Sequence, residues 1–144
     1  MAEKPMIGFR ARLGLLIPST NVAAEVEFYT MAPAGVTFHF GRLEHRPDLG
    51  IKKYERMVEE LATEVKKLSH AGVRAIAFAC TTGSLYGGKG YNERLEDEIK
   101  HLSGVPATST ASAVLEAFSF FKARKLLVLT PYSAEVNELE KGFL

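Results

Sequence analysis

RLGLLIPSTNVAAEVE, residues 12–27, decides the fold. Leu13–Ile17 is a short unbroken apolar run, the pattern of a parallel strand buried on both faces. Pro18 ends the run, and a helix is predicted over 22–32 (VAAEVEFYTMA), with Ser19, Thr20 or Asn21 available to cap it. The same strand–proline–cap–helix unit returns without a gap as KLLVLTPYSAEVNELE at 125–140. Leucines coincide at 13/126 and 16/129, prolines at 18/131, and glutamates at 25/138 and 27/140. The echo reads as an internal repeat in which residue 125 opens a second copy of the unit.

Between the two copies the alternation continues. VTFHFGRL (36–43) is a second strand, residues 74–80 a third, VPATS (105–109) a fourth and KLLVL (125–129) a fifth. Helices are predicted over 52–70, where Met57, Val58, Leu61, Val65 and Leu68 form an apolar stripe, and over 91–102, 111–123 and 133–143. Strands alternating with helices give a doubly wound α/β fold on a parallel sheet. In that fold the C-terminal ends of the strands share one edge, where ligands bind. The chain divides into a lead-in (1–11), a first α/β lobe (12–124) and an incomplete second lobe beginning at 125.

Composition narrows the function. The chain has 144 residues with 18 basic against 17 acidic side chains, so nothing in its charge marks a nucleic-acid or anionic-membrane surface. No apolar run approaches the length that spans a bilayer. A single cysteine excludes an intrachain disulfide and suits a cytoplasmic protein. His39, His45, His70 and His101 lack the spacing of a helical metal pair, and no metal site is expected.

The chemistry-bearing residues collect at the strand ends. AIAFACTTGS (75–84) runs from an apolar strand into the only cysteine, Cys80, then Thr81, Thr82, Gly83 and Ser84. A buried strand needs no such polar finish; a substrate pocket does. The hydroxyls and the N–H groups at the Gly83 turn are expected to lower the thiol pKa and to bind an anionic oxygen. Pro18, Ser19, Thr20 and Asn21 follow the first strand, and Asn21 can donate to a carboxylate without adding charge. Tyr132, after Thr130 and Pro131, can aim a hydroxyl into the same cleft. His45 and Arg46 could attract an anion but read most simply as a loop. Phe118, Phe120 and Phe121 read as core or interface. GSLYGGKG (83–90) imitates a phosphate-binding loop, but Gly90 stands where the metal-binding hydroxyl belongs.

Taken together, GLLIPSTN, FACTTGS and LLVLTPY, in that order, resemble the maleate cis–trans isomerase and arylmalonate decarboxylase group of the aspartate/glutamate racemase superfamily. The resemblance runs from about residue 12 to residue 143. It implies a flavodoxin-like lobe of a two-lobed, pseudo-twofold enzyme that works without a cofactor on a small dicarboxylate such as maleate. In that group Cys80 would be the nucleophile and Asn21 a carboxylate holder, with Thr81, Thr82 and Tyr132 as donors to carboxylate or enediolate oxygens. Pro18, Ser19 and Thr20 would complete the binding loop. Racemase or decarboxylase chemistry on a related acid is the neighbouring expectation, and a non-catalytic anion-binding half-module is the bland one. The group's second catalytic cysteine has no counterpart here, which implies a truncated second lobe, supplied by a missing segment or by a homo-oligomeric partner.

Overall fold

A computed structural model describes residues 7–144, so the first six residues of the expected lead-in lie outside the described part. Four parallel strands, β1 (Ala11–Pro18), β2 (Val36–Leu43), β3 (Ala75–Phe78) and β4 (Ala107–Ser109), lie in the order β2-β1-β3-β4. The connections leave β1 in one direction toward β2 and return past it to β3, so the order reverses between β1 and β3. That reversal is the topological switch point where open α/β sheets bind ligands. Leu16 pairs with Phe78 across it, and the Ala79 N–H donates to the Leu16 carbonyl at 2.8 Å. Continued by two residues, this register sets Cys80 level with Pro18.

The helices are α1 (Ala24–Met31), α2 (Lys52–Glu59), α3 (Leu61–His70), α4 (Thr81–Leu85), α5 (Tyr91–Ser103), α6 (Thr110–Phe120) and α7 (Ala134–Phe143). On one face of the sheet, Leu16, Leu43, Ile76 and Phe78 pack with Met57, Leu61, Val65, Leu95 and Ile99 of α2, α3 and α5. Gly14 lets α3 come close, because a Cβ there would stand 3.2 Å from Leu68 Cδ1. On the other face, Leu15, Ile17 and Phe38 pack with Ala24 and Phe28 of α1. That cover is partial and leaves an apolar groove of about 250 Å³ over Leu13, Leu15, Ala77 and Pro106. A third small cluster joins Leu85, Ala111 and Phe143 of α4, α6 and α7.

Four expectations change. The single helix over 52–70 breaks at Glu60, and its two halves take different partners: α2 reaches α4, while α3 lies on the sheet and α5. The Glu60 carboxylate is drawn aside to accept the Glu44 N–H at 2.7 Å. The glycine-rich stretch after Cys80 begins as the short helix α4 rather than as a loop. Of the two readings given to the phenylalanine stripe, core or interface, the core one fails for Phe120 and Phe121, which are exposed.

The expected fifth strand is the largest correction. Residues 125–129 are in no strand, and Leu127 and Leu129 are 85% and 84% exposed. A strand exists only through a ladder with a neighbour, and no described residue offers KLLVL one. The helix predicted after it forms as α7, capped by the Ser133 hydroxyl.

Candidate active site

Cys80 stands immediately before α4, half-buried at the switch point, with its backbone still extended. The turn after it brings Gly83 close to the sulfur. Glycine suits the close packing there, because a Cβ on Gly83 would lie 3.0 Å from Sγ and 3.1 Å from the Phe78 ring. Burial raises the thiol pKa above its ordinary 9.0, against the opposing pull of the Gly83 N–H and Lys53. The expected lowering is therefore reversed, because the packed surroundings of the sulfur outweigh its donors.

Asn21 lies across the switch point. Its Oδ1 accepts the N–H groups of Ala23 at 3.0 Å and Ala24 at 2.8 Å, holding the start of α1. Capping and donation are compatible in one amide: with Oδ1 fixed on the backbone, Nδ2 is the end left to donate. The loop around Asn21 is clamped from β2. Arg42 Nη1 donates to the carbonyls of Ser19 at 3.0 Å and Asn21 at 2.9 Å, and Nη2 pairs with Glu25 at 2.8 Å. Ser19 Oγ accepts the His45 N–H at 2.9 Å, and Thr20 Oγ1 lies 3.1 Å from His45 Nδ1. Both hydroxyls thus tie two loops together. Pro18 ends β1 at the same rim.

Of the hydroxyls after Cys80, Ser84 is structural: it donates to the Thr81 carbonyl at 2.8 Å and accepts the Ala111 N–H at 3.1 Å. Thr82 is buried, with its hydroxyl beside that of Tyr54. Thr81 is half-buried at the first position of α4. Tyr132 is partly exposed on the turn before α7, near enough to Tyr54 to influence its ionisation. Arg46 turns outward to Asp48 at 2.8 Å. Lys89 is exposed on its loop.

The α2 wall was missed by reading strand ends. Tyr54 is 5% exposed and stacks on Tyr86 at 5.6 Å, with His45 at 6.1 Å. Burial raises its hydroxyl's pKa, and it packs in the cluster that Cys80 adjoins. Its signal was present: Tyr54 falls three residues before Met57 and extends the apolar stripe toward the site. A cleft of about 740 Å³ lies elsewhere, between residues 123–130 and α7, and Cys80 does not line it. Among the described residues no group of three His, Cys, Asp or Glu could hold a metal, and no helix is long and apolar enough to cross a membrane.

The chain as a whole is similar to known proteins. Maleate isomerase of Pseudomonas putida is 25% identical over 147 residues, covering 92% of this chain and 58% of that protein. The enzyme of the same name from Alcaligenes faecalis is 29% identical over 137 residues, covering 84% and 53%. The chain therefore spans about half the length of these relatives. Among solved structures, a Nocardia farcinica maleate cis–trans isomerase with a covalently bound succinylcysteine intermediate superposes with a TM-score of 0.81 at 24% identity, covering 92% of this chain and 58% of that one. An arylmalonate decarboxylase superposes at 0.75 and 21% identity, covering 92% and 56%. Both superpositions bear out a flavodoxin-like lobe. The family described as arylmalonate decarboxylase matches residues 13–144, nearly the whole chain, and the chain belongs to that family.

Proposed function

We propose that this chain supplies the nucleophilic half of a cofactor-independent isomerase for a small dicarboxylate of the maleate type. The observation that carries the reading is the half-buried Cys80 sulfur at the switch point, immediately before α4, with Asn21 on the loop that follows the neighbouring strand β1. Relatives named maleate isomerase, and a structural neighbour whose cysteine holds a succinyl group, support that chemistry.

In this reading the sulfur, as thiolate, adds to C2 of the cis-enedioate. The C–S bond forms while the π pair moves to C3 and its carboxylate as an enediolate. Rotation about the C2–C3 single bond comes next; the pair then returns, the C–S bond breaks and the trans acid leaves. No electrons are gained or lost, so the cycle needs no redox partner. In this reading the Asn21 Nδ2 would hold one carboxylate, and Thr81, Thr82 and Tyr132 would be the donors that take enediolate charge. A raised thiol pKa suits a reversible adduct, since the sulfur needs a substrate or neighbour to take its proton and is not held as a free thiolate.

The chain with maleate, followed by proton NMR, is expected to yield fumarate or, where the opposing half of the site is lacking, a stable Cys80 adduct one maleic acid heavier. Cys80→Ser removes both outcomes while the circular dichroism stays unchanged. Absence of both product and adduct on the native chain overturns the proposal. The family description and an arylmalonate decarboxylase relative from Bordetella bronchiseptica, 26% identical over 91 residues, favour a second reading as decarboxylase. Release of carbon dioxide from an arylmalonate under the same conditions decides for it.

A further inference from the structure

The wall contributed by α2 carries a charge that the strand-end motifs do not account for. The Lys53 ammonium lies over the Tyr54 ring, 5.2 Å from its centroid, within the range at which an aromatic face holds a cation. Tyr54 is itself fixed, buried between His45 and Tyr86 in the cluster that Cys80 adjoins, and α2 packs against α4. The ring thus holds the ammonium on the α2 wall of the cluster that Cys80 adjoins, where its charge acts on the thiol.

The neighbours packed in the same cluster as Cys80 include the aromatic rings of Tyr54, Tyr86 and Tyr91. His45 is kept neutral by burial and by Lys53 itself. Four nearby carboxylates have other partners: Glu25 pairs with Arg42, Glu44 with Arg56 and Asp48 with Arg46, and Glu60 accepts the Glu44 N–H. Glu55 on α2 and Glu140 on α7 are further acids on elements packed around α4, and among the described residues neither forms a salt bridge with Lys53.

We propose that Lys53 is the counter-charge of the site, steering carbon electrophiles that bear a carboxylate onto the Cys80 sulfur in preference to neutral ones. The proposal rests on Cys80 as the reacting group and adds to that reading the residue that selects the substrate's charge.

Two alkylating agents with the same carbon and leaving group test it. Iodoacetate and iodoacetamide both react by attack of the thiolate on CH2, the C–S bond forming as the C–I bond breaks and iodide leaves. The chain has one cysteine, so each rate belongs to Cys80 alone. The ratio of the iodoacetate rate to the iodoacetamide rate reads the local potential and cancels the thiolate fraction. Lys53→Gln is expected to lower that ratio about threefold, the size of one unit charge acting at a solvated rim. Lys53→Arg keeps it, and about 0.5 M sodium chloride erodes it in the native chain. A ratio unchanged by Lys53→Gln overturns the proposal. If that variant loses its circular dichroism, a native ratio indifferent to salt does so instead. The ratio needs no turnover, so a failure here and a failure of the isomerase reading are told apart.

Discussion

Asn21 is a side chain whose two ends can be tested apart, one holding the fold and the other proposed for the chemistry. Its Oδ1 holds the start of α1, so Asn21→Ala should cost about 1 kcal/mol of stability. Asn21→Asp separates the two duties, because aspartate caps as well as asparagine but presents a second acceptor where the amide donated. Its melting temperature is expected to match the native value, while maleate no longer protects Cys80 from iodoacetamide. Continued protection in that variant would remove Asn21 from the site. Cys80 and Asn21 were legible in the sequence because each polar finish comes directly after an apolar run, and topology brings such ends together. The direction of the thiol's pKa was not legible. It depends on how closely Phe78 and Tyr54 pack around the sulfur, which no local pattern records.

Between elements, the arginine that joins β2 to the loop after β1 matters most. Arg42 forks to two carbonyls and a carboxylate, and only a guanidinium reaches all three at once. Arg42→Lys keeps the charge but loses the fork. It is expected to weaken maleate protection of Cys80 several-fold while leaving the iodoacetamide rate without maleate unchanged. A drop in the unprotected rate as well would show that the clamp supports the whole sheet edge. At this scale the four strands were readable as apolar runs, and their parallel order followed from the alternation. The fifth was not, because the Leu126–Leu129 run states a preference for extended backbone but cannot state which ladder receives it. The break at Glu60 was hidden for a similar reason: the stripe from Met57 to Leu68 is continuous in sequence, and only the carboxylate's long-range bond to Glu44 interrupts it.

Across the whole molecule, the buried acids respond to pH in one direction. Cys80, Tyr54 and Tyr91 all have pKa values raised above their ordinary 9.0, 10.0 and 10.0, chiefly by burial. The folded chain therefore keeps these protons after the unfolded chain has lost them. Their contribution is complete below about pH 9 and disappears as pH rises through the folded-state values. Urea unfolding at pH 7 and at pH 10 should show lower stability at the higher pH, and Tyr91→Phe should reduce that loss. A loss identical with and without the Tyr91 hydroxyl would exclude it as a contributor. One further consequence comes from Ser84, whose hydroxyl rivets the turn beneath the thiol to the first residues of α6, while Phe143 wedges α7 against Leu85 from below. α7 is in this way a foundation for the sulfur's footing. A pull on α7 would be felt at Cys80, more than sixty positions upstream along the chain yet joined to it through α4.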